Sequence, residues 1–182
     1  MQNRVGFIGG SDINQILSED WLDLWEVKMG IKQPKDLSNV LPVQMGVVTE
    51  DLNISWFSQQ TQKEVVGQQE EFTLELSGVP FKGTVDGRIK EENCILEAKH
   101  TNANNSMGRL MVYYKPQMQL YCGLSGSEGC YLSAIFGNNR WEFDFMLFDE
   151  DYFDRLVGLT ASFWYCVTSG IKPDFPNFTN KI

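Results

Sequence analysis

The stretch GTVDGRIKEENCILEAKH, residues 83–100, decides how this chain is read. Its end, CILEAK, has the apolar character of a short strand. Glu97 and Lys99 are two residues apart in it, so both side chains project to one face. Asp86 lies eleven positions before Glu97, across a turn. Two carboxylates converging from adjacent strands can hold a divalent cation through oxygen. Such a cation lowers the pKa of bound water and offsets charge on a reacting phosphate. A lysine beside them can orient or deprotonate the attacking water, or neutralise the phosphate. The plain alternative is a surface hairpin with a Glu and a Lys on its wet face, and the motif alone does not separate the two.

The rest of the chain narrows the choice. At 182 residues and 42% hydrophobic, it can bury the core of one domain, residues 1–182. No run of 18 apolar residues exists, so no membrane span is expected. The opening MQNRVGFIGGSD lacks the long apolar core of a signal peptide, and a cytoplasmic protein is expected. None of the four cysteines forms a C-x-x-C pair, which argues against a zinc or redox motif. The net charge of -9 excludes non-specific coating of nucleic acid. It does not exclude a nuclease, because bound cations reverse the local field.

Ser11 reads as a helix N-cap, and EDWLDLWEVKMG continues with helical spacing to Gly30. Residues 42–60 read as a longer helix with Pro42 in its first turn. Residues 63–76, 79–85, 88–90 and 94–99 read as an antiparallel meander. NSMGRLMVYYKPQMQLYCGLSG is helical, with Pro116 interrupting it or starting a new segment. Two strands turning at Gly137 and a last helix from Asp149 to Gly170 follow. The order predicts an α/β (α+β) fold, a mixed central sheet flanked by helices.

Asp86 followed by Glu97-Ala98-Lys99 resembles the PD-(D/E)XK restriction-endonuclease-like core, with Val85 where the family commonly has proline. MGVVTEDL, residues 45–52, resembles the G-x-x-x-E helix of the YqaJ-like viral recombinase and lambda exonuclease group. Gly46 and Glu50 share a helix face, and a missing side chain at 46 would let another element approach. KPQMQLYCGLSG resembles the group's Q-x-Q helix, with Gln117 and Tyr121 on one face and Gln119 pointing elsewhere as ordinary polar surface. RVGFIGGSD is similar to the group's N-terminal phosphate pocket, where Arg4 and Ser11 match an Arg and a Ser that hold a DNA 5′-phosphate. Thr84 matches a further hydroxyl of that pocket. The motifs run from Arg4 to about Gly126, and their order and spacing are more specific than any one of them.

The resemblance implies a metal-dependent 5′→3′ exonuclease acting on linear double-stranded DNA with 5′-phosphate ends. It would leave 3′ overhangs for phage-type recombination. Asp86, Glu97 and the Ala98 carbonyl would hold Mg2+, with Mn2+ as the alternative, and Glu50 would help hold a second ion. Lys99 would work on the attacking water, and Gln117 would help position it. The resemblance also implies a homo-oligomeric ring, often a trimer, a single-strand annealing protein as partner, and a phage protein acting in the host cell. Arg109 and Lys115 are the leading candidates to line a DNA channel; Tyr113, Tyr114 and Tyr121 could stack on bases, although aromatics at helical spacing are more often core. Three other readings stay open: another PD-(D/E)XK nuclease such as a structure-specific endonuclease, a non-catalytic nucleic-acid-binding or protein-binding domain, and an unrelated α/β protein with a chance motif.

Overall fold

The computed structural model describes residues 5–18 and 21–173. Three helices come first: α1 (Gly10–Leu17), α2 (Trp21–Lys28) and α3 (Leu41–Thr61). Five strands follow: β1 (Val65–Val66), β2 (Glu70–Leu76), β3 (Val79–Val85), β4 (Gly87–Ile89) and β5 (Cys94–Thr101). Helix α4 (Met107–Ser125), strands β6 (Gly129–Phe136) and β7 (Arg140–Leu147), and helix α5 (Glu150–Ser169) complete the described chain.

The expected meander is divided. Strands β2 and β3 pair only with each other, closed by Ser77 and Gly78 at φ 51° and 74°. The main sheet has the order β1-β4-β5-β6-β7. Its β5–β6 pair is parallel, bridged by α4, and its other pairs are antiparallel. The division falls at Asp86. The chain leaves the hairpin at Val85 and joins the main sheet at Gly87. A Cβ at Gly87 would come within 2.3 Å of a Val65 methyl, so a side chain there would force β1 and β4 apart. Alternation alone could not show this, because both halves of the bent segment have strand patterning.

Ile8 adds to the hairpin beside Phe81, donating to the Pro80 carbonyl at 2.8 Å and accepting from the Lys82 amide at 2.9 Å. The N-cap of α1 is Gly9, not Ser11. The Asp12 carboxylate reaches back to the Gly9 amide at 2.8 Å, which puts Ser11 inside the first turn.

Helix α4 runs unbroken through Pro116. A proline there removes the amide that would bond to the carbonyl of residue 112. Val112 is exposed, so water can reach the carbonyl that is released. Asp149 caps α5 by accepting from the Tyr152 amide at 2.9 Å, and Gly170 closes it at φ 68°.

The sheet is covered on both faces. Ile95, Cys130, Leu132, Ala134 and Phe136 belong to the larger core with α1, α2, α4 and α5. Ile89, Cys94, Leu96 and Ala98 pack with Ile54 and Phe57 of α3. Full burial of Ile54 and Phe57 is worth about 1.5–3 kcal/mol each. No helix among the described residues is long and apolar enough to cross a membrane.

Candidate active site

Strand β5 presents two chemistries. Cys94, Leu96 and Ala98 point into the α3 core. Ile95, Glu97 and Lys99 alternate with them and point toward α4. Pairing between β4 and β5 covers only Cys94 to Leu96. The Ala98 amide beyond it donates instead to Asp86 Oδ2 at 2.7 Å. The bend that divides the two sheets thus aims Asp86 at the strand carrying Glu97 and Lys99.

Glu97 is 1% exposed. It is ion-paired with Lys99, and its Oε1 accepts from Gln117 Nε2 at 2.5 Å. Its Oε2 is buried with no hydrogen-bond partner. Lys99 Nζ also lies 3.8 Å from Asp86 Oδ2 and 5.3 Å above the Tyr114 ring. Burial pushes the Glu97 carboxyl up to about 8, against the pull of Lys99. Burial alone would lower Lys99, but Glu97 and Asp86 outweigh it and hold the ammonium above its ordinary range.

Glu50 arrives from α3, on the stripe that buries Asn53, Ile54 and Phe57. Burial raises its carboxyl, and the Asp86 charge raises it further. Its Oε1 accepts from Gln69 Nε2 at 2.5 Å. The structure therefore brings Glu50, Asp86, Glu97, Lys99 and Gln117 to one place. A buried carboxylate oxygen without a partner costs about 1–3 kcal/mol. A hard cation would satisfy it, and the donors at this place are carboxylate oxygens. Among the described residues no three His, Cys, Asp or Glu side chains close into a ready-made cage.

The helix α1 start is packed against this cluster. An added Cβ at Gly10 would lie 2.6 Å from Tyr121 Oη and 2.8 Å from Gln117 Cγ. One at Gly83 would lie 2.9 Å from the same Tyr121 ring. Tyr121 is held between these two glycines, with Ser11 and Thr84 directly following them in the chain. Ser11 is exposed and Thr84 half-buried, and Arg4 lies outside the described residues.

Other expectations are revised. Gly46 admits no close neighbour: a Cβ there would meet nothing within 4 Å. Gln119 is not polar surface but a buried strap, donating to the Leu147 carbonyl and accepting from the Asp149 amide, both at 2.8 Å. Lys115 lies over the Tyr152 ring at 4.2 Å, while Arg109 is exposed. Tyr114 beside Lys99 and Gln69 beside Glu50 are the contacts that sequence spacing did not reveal. Tyr114 was visible only as one aromatic among several, and nothing marked Gln69.

A bent hairpin-to-sheet segment that brings Asp86, Glu97 and Lys99 together on a mixed sheet defines a PD-(D/E)XK restriction-endonuclease-like core. The YqaJ-like viral recombinase domain family matches residues 1–128, and the chain belongs to that family. No curated protein sequence matches it. Its fold is similar to that of an alkaline exonuclease (LHK-Exo) from Laribacter hongkongensis, at 14% identity and TM-score 0.71, covering 92% of this chain and 91% of that one. The same enzyme in complex with dAMP aligns at 15% identity and TM-score 0.69, covering 92% and 91%. A phage-related exonuclease from Haemophilus somnus 129PT aligns at 10% identity and TM-score 0.69, covering 91% of this chain and 96% of that one.

Proposed function

We propose that the protein is a metal-dependent 5′→3′ exonuclease that digests linear double-stranded DNA from 5′-phosphorylated ends. It would leave 3′ single-stranded overhangs for phage-type recombination. One observation carries this reading: the buried, unpartnered Glu97 oxygen beside Asp86 and Lys99. A charged cluster so placed is costly unless a ligand completes it. The family and the exonuclease folds support DNA as that ligand's partner.

Asp86 and Glu97, with the Ala98 carbonyl, would hold Mg2+ or Mn2+, and Glu50 would help hold a second ion. Such ions supply Lewis-acid stabilisation of the phosphate and a nucleophile from water at neutral pH. The two carboxylates keep Lys99 protonated, so it acts as a donor to water or phosphate oxygen. Gln117 is anchored on Glu97 and would position water through its remaining capacity. Arg4, Ser11 and Thr84 would take the 5′-phosphate, and the packing of Gly10 against Gln117 and Tyr121 supports a short path from that pocket to the cluster. A ring-shaped homo-oligomer and a single-strand annealing partner belong to the same proposal.

The test is digestion of linear duplex DNA with Mg2+, comparing 5′-phosphate with 5′-hydroxyl ends, beside Asp86→Ala. Fast loss from phosphorylated ends alone, abolished by the substitution, is expected. Cutting of closed circles would favour an endonuclease instead. No metal-dependent cleavage of any DNA would leave a nucleic-acid-binding domain.

A further inference from the structure

Three described non-glycine residues have φ in the left-handed region: Gln62 at 61°, Gln69 at 57° and Ser77 at 51°. Gln62 caps the end of α3, and Ser77 makes the β2–β3 turn, where such angles are ordinary. Gln69 does neither. It stands just before β2, in the connection from the main sheet to the separate hairpin, two residues after Gly67 at φ 59°. A left-handed residue with a long side chain costs roughly 1–2 kcal/mol against glycine. Here its amide donates to Glu50 Oε1 at 2.5 Å.

We infer that Gln69 is a positioning residue for the metal site, acting through Glu50. The inference rests on the exonuclease reading of that site. Glu50 reaches it from α3, whereas Asp86 and Glu97 belong to the strand segments on the other side of the β1–β2 connection. A glutamate has three side-chain torsions, so without a tether it would sample many orientations. The Gln69 amide removes much of that freedom and occupies one oxygen, leaving the second for a cation. The backbone angle that places the amide there is supplied by the connection itself. Partners that orient metal ligands in this way typically change metal affinity or activity by about 10–100-fold when removed.

The test is Mn2+ binding to the DNA-free chain by titration calorimetry, in parallel with the Mg2+ dependence of cleavage. Gln69→Gly is the decisive variant, because it relieves the backbone angle while removing the amide. The expected result is Mn2+ binding about 10-fold weaker, with thermal stability unchanged or raised. In a Glu50→Ala background the same change is expected to add nothing. Wild-type Mn2+ affinity in Gln69→Gly would overturn the inference and leave the nuclease reading standing. So would an additive loss in the double variant. If the wild-type chain binds no Mn2+ and Asp86→Ala changes nothing, the nuclease reading fails and the inference with it.

Discussion

Among the described residues, two lysine–carboxylate clusters are buried, and they are finished differently. In the first, Lys28 is wholly enclosed, donating to Asp12 Oδ2 at 2.8 Å and to the Phe7 carbonyl at 2.6 Å. Asp12 in turn accepts from the Gly9 amide at 2.8 Å. That cluster ties α2 to the start of α1, and its polar atoms are spent on protein. In the second, Lys99 keeps 21% of its side chain exposed, and the Glu97 it pairs with has an oxygen that no protein group meets. A buried ion pair offsets its desolvation only when the remaining lone pairs are satisfied. The closed cluster meets that condition within the fold, and the open one leaves it unmet at Glu97 Oε2. Burial of charge alone does not mark a site; incomplete satisfaction beside a solvent path does.

Matched lysine substitutions should separate the two most sharply. Lys99→Met is expected to reduce DNA cleavage by about 10²–10⁴-fold, as for loss of a proton-handling or charge-stabilising group. Its melting temperature should change little, because Glu97, which holds its proton to about 8 even beside Lys99, stays neutral without it. Lys28→Met should do the reverse, costing about 3–5 kcal/mol by stranding Asp12. Asp12→Asn in the same chain should recover most of that loss. Urea unfolding beside a single-turnover cleavage assay reads both. Equal effects of the two lysines on stability would remove the distinction.

Gly10→Ala tests the contact between the regions. The added methyl meets Tyr121 and Gln117, and overpacking of this kind costs about 1–3 kcal/mol. Cleavage should fall in the folded protein as well, because Gln117 bonds Glu97. Gly46→Ala is the control. It meets nothing, and by helix propensity should add up to ~1 kcal/mol of stability.

The smallest effect concerns pH. Folded Glu97 holds its proton to about 8, against an ordinary value of 4.5. Between those values the folded chain binds more protons than the unfolded one, so this group's contribution to stability falls as pH rises. Glu97→Gln should remove that slope in metal-free buffer. The melting temperature of the variant relative to wild type should therefore climb from pH 5 to pH 8, and Mg2+ should narrow the gap at pH 8. A flat difference would mean that Glu97 ionises normally in the fold.

What the sequence determined by itself were features carried by neighbours along the chain. Asp149 and Gly170 bound the last helix because capping bonds join residues a few positions apart. Alternation put Glu97 and Lys99 on one face, with Asp86 across a turn, whereas Gln117 was singled out by its resemblance to the family's Q-x-Q helix. Even so, Ser11 was misplaced as the cap of α1, since Asp12 competes for the same role only one residue away. Tertiary structure decided the rest. The division of the strands at Asp86 depends on which partners are in reach, and a run of alternating residues carries no such record. Lys28 and Gln119 look like solvated side chains until distant backbone carbonyls close over them. Gln69 had no local signal at all, because its role comes from a Glu on another element, nineteen residues away. Desolvation and long-range hydrogen bonds are properties of the packed molecule, and they are what distinguish the structural cluster from the open one.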